Sequence, residues 1–293
     1  EAITLEAKEA ITQSVKKDKP FFLYMSHYAV HSPFQTDRRF EENYKDSTRS
    51  RPSKSFATLI EGIDKSLGDL MDHVTDKGVA ENTLILLVGD NGSDAPLGDN
   101  YGYYSSAPLR GKKGTCYEGG LRVPFIASWA QRGDQNKFPI ARNHLHTKQI
   151  GTVMDIYSTI LDVSGAKNPQ EHVIDGVSLR KQLSGRVNQN RLDHFMCHFP
   201  HSHRSSYFTS YRRGNWKLIY RYLTEGGKRK SKNPLPQHEL YNLKNDPYET
   251  KNMALENRPK VNEMIELMNS QLKDEDALFL VRDDKFLKPA LLK

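Results

Sequence analysis

Thr83-Leu84-Ile85-Leu86-Leu87-Val88-Gly89-Asp90-Asn91-Gly92 is the stretch that decides the fold. Its aliphatic run is strand-sized and stops at a Gly-Asp-Asn-Gly turn. Before it, Phe56, Leu59, Ile60, Ile63, Leu67, Leu70, Met71 and Val74 recur at helical spacing, which predicts a long core-facing helix closing near Gly78. Further back, Phe21-Phe22-Leu23-Tyr24-Met25-Ser26 has the content of another buried strand, with His27 to Pro33 leaving it as a loop. Strand, helix, strand predicts a βαβ crossover and an α/β layer.

Forward of the turn, Ser93 to Gly120 reads as a Gly- and Tyr-rich loop, Val123 to Trp129 as a third strand, and Ile150 to Leu161 as a helix. The texture changes near Leu183-Ser184-Gly185. Beyond it come short strand-like runs at His194 to Phe199, Tyr207 to Tyr211 and Trp216 to Tyr222, then a helix with Val261, Met264, Ile265, Met268 and Leu272 on one face. The expected organisation is therefore an α/β domain over residues 1–185 and a small α+β subdomain of short antiparallel strands and a helix over 186–293. Gly226 to Lys232 reads as a basic turn, and Ile3 to Val15 as an amphipathic helix rather than a basic-then-apolar leader.

With 293 residues, 37% hydrophobic and 27% charged, the chain can bury a full core, which excludes a largely disordered protein. No stretch approaches the roughly 18 consecutive apolar residues of a membrane span. Cys116 and Cys197 have neither the spacing of a disulfide framework nor that of a zinc site. A net charge of +7 suits a polyanionic partner without choosing among nucleic acid, a membrane surface and a sulfated glycan.

Asp90 and Asn91 stand where open α/β sheets place ligand-binding residues, and both offer hard oxygens to Ca²⁺ or Mg²⁺, although Asn-Gly is also an ordinary turn. His27 and His31 follow the first strand-like run in the same way, as proton donors, ligands or plain surface residues. Ala107 to Thr115 combines glycines with Arg110, Lys112 and Lys113, suiting an oxyanion or a solvated basic loop, and lacks P-loop order. His194, His198, His201 and His203 crowd one segment, but their spacing is poor for zinc, which favours substrate contacts or surface positions.

In order, these pieces resemble the type I sulfatases of the alkaline phosphatase superfamily, of the arylsulfatase and N-acetylgalactosamine-sulfatase kind. The resemblance rests on Pro20-Phe21-Phe22-Leu23-Tyr24 with His27, His31 and Pro33, on Thr83 to Gly92, and on Pro108-Leu109-Arg110-Gly111-Lys112-Lys113-Gly114-Thr115 through Glu118-Gly119-Gly120 to Pro124. Asp175 to Leu179, His198 to His201, Arg213 to Ile219 and Glu239 to Pro247 extend it through most of the chain. It implies an alkaline-phosphatase-like mixed sheet flanked by helices. It further implies Asp90 and Asn91 as ligands of a divalent cation, usually Ca²⁺ with Mg²⁺ possible; Lys113 as a sulfate contact; His31 as a sulfate contact or acid; His198 and His201 as substrate contacts; and Glu118 and Arg122 as structural. The implied activity is sulfate ester hydrolysis on a sulfated carbohydrate or aryl sulfate, with export to the periplasm or beyond.

One departure is large. Family members carry, upstream of the Phe21 strand, an aspartate pair and a Cys/Ser-x-Pro/Ala-x-Arg segment whose first residue becomes the formylglycine nucleophile, and neither stands before Phe21 in this sequence. Ser50-Arg51-Pro52-Ser53-Lys54 approximates that segment, but it lies downstream of His31 and ends in lysine. The expectation is an N-terminally truncated sulfatase, inactive alone, with an apolar face open to self-association. A sulfated-glycan binding module and a related phosphatase or phosphonate hydrolase are the alternatives.

Overall fold

The computed structural model describes residues 1–97, 105–170, 172–191, 193–201, 207–224 and 235–293. It divides into two compact units: Glu1–Val88 with Ala95–Gly102 and Pro124–Asn143, and Gly89–Asp94 with Tyr103–Val123 and His144–Lys293. The change of texture near residue 185 falls inside the second unit.

The first unit contains helices α1 (Ala2–Lys16) and α2 (Arg51–Asp76) and strands β1 (Leu84–Val88) and β2 (Phe125–Trp129). Ile11, Val74 and Ala80 are its buried apolar centre, with Val15, Phe21, Leu23, Leu70 and Ala130 packed around them. Helix α2 begins where Ser50 accepts the Ser53 N–H on its side chain and Pro52 sits in the first turn, a helix-start pattern. Ser50 is thus the cap of a helix. The expected apolar stripe of α2 is only half-buried. The fully buried positions are Ser53, Ser55, Thr58, Ser66 and Val74, and the hydroxyls are satisfied by pairs such as Thr4 Oγ1 to Ser66 Oγ at 2.7 Å and Thr36 Oγ1 to Ser55 Oγ at 2.7 Å.

Strands β1 and β2 pair antiparallel, from Leu84 opposite Trp129 to Val88 opposite Phe125. Phe21 to Ser26 is extended but joins no strand pairing among the described residues, so the predicted βαβ crossover is not formed there. Exposure alternates along it: Phe21 and Leu23 face the core, while Phe22 and Tyr24 are 68% and 83% exposed. Apolar content made the segment suitable for a sheet, but a strand also needs a neighbour to satisfy its backbone groups. β1, expected to be buried, is half-buried along its length for the same reason.

The second unit is organised by a four-stranded antiparallel sheet of β3 (His194–Phe199), β4 (Phe208–Arg213), β5 (Trp216–Arg221) and β6 (His238–Asn242), in that order. Helices α3 (Glu118–Leu121), α4 (Asp155–Ser164), α5 (Arg180–Leu183) and α6 (Arg258–Asp274) and the hairpin of β7 (Val281–Arg282) with β8 (Lys285–Phe286) complete it. Helix α6 buries Val261, Met264, Ile265, Met268 and Leu272 to within 1% exposure, the face its periodicity predicts. The two faces of β5 separate by strict alternation. Leu218 and Tyr220, with Tyr222 just beyond the strand, join the α6 core, whereas Ile219 packs with Cys116 and Tyr241, and Lys217 and Arg221 share its side of the strand. No described helix is long and apolar enough to cross a membrane.

Candidate functional site

Asp90 and Asn91 form the turn directly after β1, with Asn91 Nδ2 donating to Asp90 Oδ2. The loop carrying Lys113 is fastened to this turn by main-chain hydrogen bonds: Lys113 N–H donates to Ser93 O and Gly92 N–H to Gly120 O, both at 3.0 Å. A Cβ at Gly92 would lie 2.2 Å from Gly119 O and 2.6 Å from Gly120 Cα, so only glycine permits this approach of backbone to backbone. Beside Lys113, Gly114 adopts φ +83°, and Thr115 N–H closes the turn onto Lys112 O at 3.0 Å. Asp90, Asn91 and Lys113 are therefore brought together at the level of the main chain.

Beneath this loop is a buried charge network. Lys217, 1% exposed, places Nζ 2.9 Å from Glu118 Oε1 and 2.8 Å from Glu249 Oε1. The Glu118 N–H donates to Glu249 Oε2 at 2.6 Å, and Arg122 binds Glu118 Oε2 at 2.8 Å. Four residues along β5, Arg221 pairs with Glu239 and donates to Cys116 Sγ at 3.1 Å and Tyr117 Oη at 3.0 Å. Arg110 lies over the Tyr117 ring at 3.9 Å and donates to Glu249 O at 2.8 Å. Burial pushes the Glu118 carboxyl up, but Lys217, Arg122 and Arg212 outweigh it and hold the group below its usual range. At Glu249 burial prevails over Lys217 and the carboxyl is raised. Burial also raises the Cys116 thiol to about 11.

Lys217, Arg221, Glu239 and Glu249 escape the sequence reading. The available signal was a charged residue inside an apolar strand-like run, as with Lys217 between Trp216 and Leu218. Glu118 and Arg122 hold structural positions in the loop, as their ion pairs show.

His31 belongs to the first unit. Its exposed ring bonds Ser32 O through Nδ1 at 2.8 Å and meets the Tyr28 ring edge-on at 5.8 Å. His198 lies on β3 with both ring nitrogens engaged, Nε2 by Leu278 O at 2.6 Å and Nδ1 by Thr209 Oγ1 at 2.7 Å, which leaves neither free for a substrate in this arrangement. A carbonyl only accepts, so Nε2 carries a proton. His201 is exposed, with its ring 5.3 Å from Phe199. His203 and the basic turn at 226–232 lie outside the described residues.

No group of three or more His, Cys, Asp or Glu side chains able to hold a metal occurs among the described residues. Asp90 and Asn91 fit a hard cation in donor chemistry, and their two side chains fill part of a shell of six to eight oxygens.

The family model described as Sulfatase matches residues 1–166, and that described as N-sulphoglucosamine sulphohydrolase, C-terminal, matches residues 111–277. A sulfatase of Formosa agariphila is 32% identical over 265 residues, covering 83% of this chain and 43% of that protein. The N-acetylgalactosamine-6-sulfatase of Canis lupus familiaris is 32% identical over 180 residues, covering 61% of this chain and 31% of its own length. The solved structure of Ps i-CgsB, also known in complex with k-i-k-neocarrahexaose, superposes with a TM-score of 0.71 at 21% identity, over 98% of this chain and 56% of that one. The chain belongs to the sulfatase family, and its fold is that of the sulfatases. It spans less than half the length of these two sequence relatives.

Proposed function

We propose that this chain supplies the cation- and sulfate-binding side of a sulfuric ester hydrolase acting on a sulfated carbohydrate, with aryl sulfates as simpler substrates. The observation that carries the reading is the pair of main-chain hydrogen bonds fastening the Lys113 loop to the Asp90-Asn91 turn. They support a sulfate held between a cation ligated by Asp90 and Asn91 and the Lys113 ammonium. The named relative acting on an N-acetylgalactosamine 6-sulfate and the net charge of +7 support a carbohydrate polyanion.

In this reading Lys113 meets charge growing on the sulfate oxygens, as a preorganised donor does in acyl transfer. Ca²⁺, or Mg²⁺ in its place, supplies further positive charge at the same oxygens when bound. His31 protonates the departing oxygen. Its Nδ1 donates to Ser32 O, which leaves Nε2 as the atom that would hand the proton over. His201, exposed beside Phe199, contacts the sugar. His198 joins it only if its bond to Leu278 opens. The nucleophile is a formylglycine supplied from outside these 293 residues, in a periplasmic or secreted enzyme.

No Cys/Ser-x-Pro/Ala-x-Arg segment stands before Phe21 in these 293 residues, which favours a second reading for the chain by itself, that of a sulfated-glycan binder without turnover. The test measures sulfate release, with Ca²⁺ present, from an aryl sulfate and a sulfated oligosaccharide, by this chain and by the complete enzyme containing it. Turnover by the complete enzyme alone supports the proposal. Metal-dependent turnover by the chain that disappears on Ser50→Ala overturns it.

A further inference from the structure

The loop that carries Lys113 is held from below by residues the reaction itself does not need, and β5 supplies two of them from one face. Lys217 reaches Glu118 and Glu249, and Arg221 reaches Cys116 and Tyr117. Glu249 closes the arrangement, because its Oε2 accepts the main-chain N–H of Glu118 while its own carbonyl accepts from Arg110 at the start of the loop. Both ends of the segment from Arg110 to Glu118 thus converge on one residue of the second unit. Inside that span lie Lys113 and the hydrogen bond to Ser93.

We propose that Lys217 and Glu249 are positioning residues, a buried clamp that fixes the main chain of the 110–120 loop and so sets where Lys113 stands relative to the Asp90-Asn91 turn. The proposal rests on the reading of Lys113 as a sulfate contact for its functional consequence, but the clamp itself is a statement about the loop. Three physical points carry it. The charges are desolvated, so their hydrogen bonds are of the strong, charge-assisted kind. A buried Lys between two Glu is costly unless the geometry is kept, which makes the arrangement hard to relax. The opposite face of β5 packs on α6, so the clamp stands on a rigid support, as a precise site requires.

The test uses the 293-residue chain and three substitutions, Glu249→Ala, Glu249→Gln and Arg110→Met. Hydrogen–deuterium exchange is followed in peptides spanning 110–122 and, as an internal control, 258–274. Glu249→Ala removes the acceptor and speeds exchange in 110–122 by tenfold or more, with α6 within twofold. Glu249→Gln keeps an amide oxygen for the Glu118 N–H and stays within threefold of the unchanged chain. Should Glu249→Ala not fold, Arg110→Met, on the half-exposed side of the loop, speeds the same peptide threefold or more. Loop and α6 accelerating together, or a loop indifferent to Glu249→Ala and Arg110→Met, would overturn the clamp.

Titration with inorganic sulfate separates the clamp from the reading of Lys113. Binding lost in Lys113→Ala and weakened tenfold or more in Glu249→Ala, with Lys113 intact, supports the positioning role. Sulfate bound equally well by Glu249→Ala overturns it. A chain that binds no sulfate while its loop still responds to Glu249→Ala supports the clamp and counts against Lys113 as the sulfate contact.

Discussion

Lys217 Nζ lies 2.9 Å from Glu118 Oε1, across 99 residues of sequence, with both side chains withdrawn from solvent. That contact ties the strand supporting the α6 core to the loop that bears Lys113. Lys217→Met leaves Glu249 buried without its cation, and the expected cost is about 3–5 kcal/mol. Urea unfolding checks this, and a loss below about 1 kcal/mol would show the network to be dispensable.

The same contact predicts an acid limb. The folded Glu118 carboxyl lies below its ordinary range, so its contribution is fully present above the unfolded value of about 4.3 and is lost as pH falls through the folded value. Glu249, raised by burial, has the opposite sign: the folded state holds its proton more tightly, and stability falls as pH rises through the folded value. Glu118→Gln should therefore flatten the decline in urea midpoint below about pH 4, whereas Glu249→Gln should not. An unchanged acid limb in Glu118→Gln contradicts the assignment.

Cys116 is 2% exposed and its thiol is raised to about 11, so little thiolate exists at pH 8. Under native conditions a disulfide reagent should label Cys116 only as fast as the protein unfolds. Labelling at the rate of a free thiol would show that the loop opens readily.

Ser50 caps α2, and Ser50→Ala should cost about 1 kcal/mol of stability while leaving Ca²⁺ binding unchanged. Stability within error of the unchanged chain would argue against the cap.

Phe22, Tyr24 and Tyr28 are 68%, 83% and 72% exposed along one extended segment. Apolar surface beside unpaired backbone promotes association. Sedimentation velocity should show concentration-dependent self-association that Phe22→Ser with Tyr24→Ser reduces. A monomer at every concentration would count against it.

Where periodicity carries the information, the sequence was legible. The buried face of α6 coincides with its expected place, because a 3.6-residue period records which side of a helix meets a core, and the strands at Leu84–Val88 and His194–Phe199 coincide with their strand-sized apolar or aromatic runs. Phe21 to Ser26 was not legible as an unpaired segment, since residue type reports suitability for a sheet and not the presence of a neighbour. Asp90, Asn91 and Lys113 could be selected from local motifs. Their support could not, because Lys217 meets Glu118 and Glu249 only after the strands are placed, and no local pattern records a partner so far along the chain. His198 shows the converse: a motif position whose ring nitrogens are both taken by neighbours.

The proposed contact of Lys113, beside the Asp90-Asn91 turn, with the sulfate being cleaved is decided by kcat/KM for a sulfated oligosaccharide in the complete enzyme, with Lys113 and with Lys113→Ala. The expected loss in Lys113→Ala is on the order of 10²-fold or more, comparable to removing one preorganised donor, with Ca²⁺ affinity unchanged. A loss of less than about threefold, well short of one such donor, would contradict it.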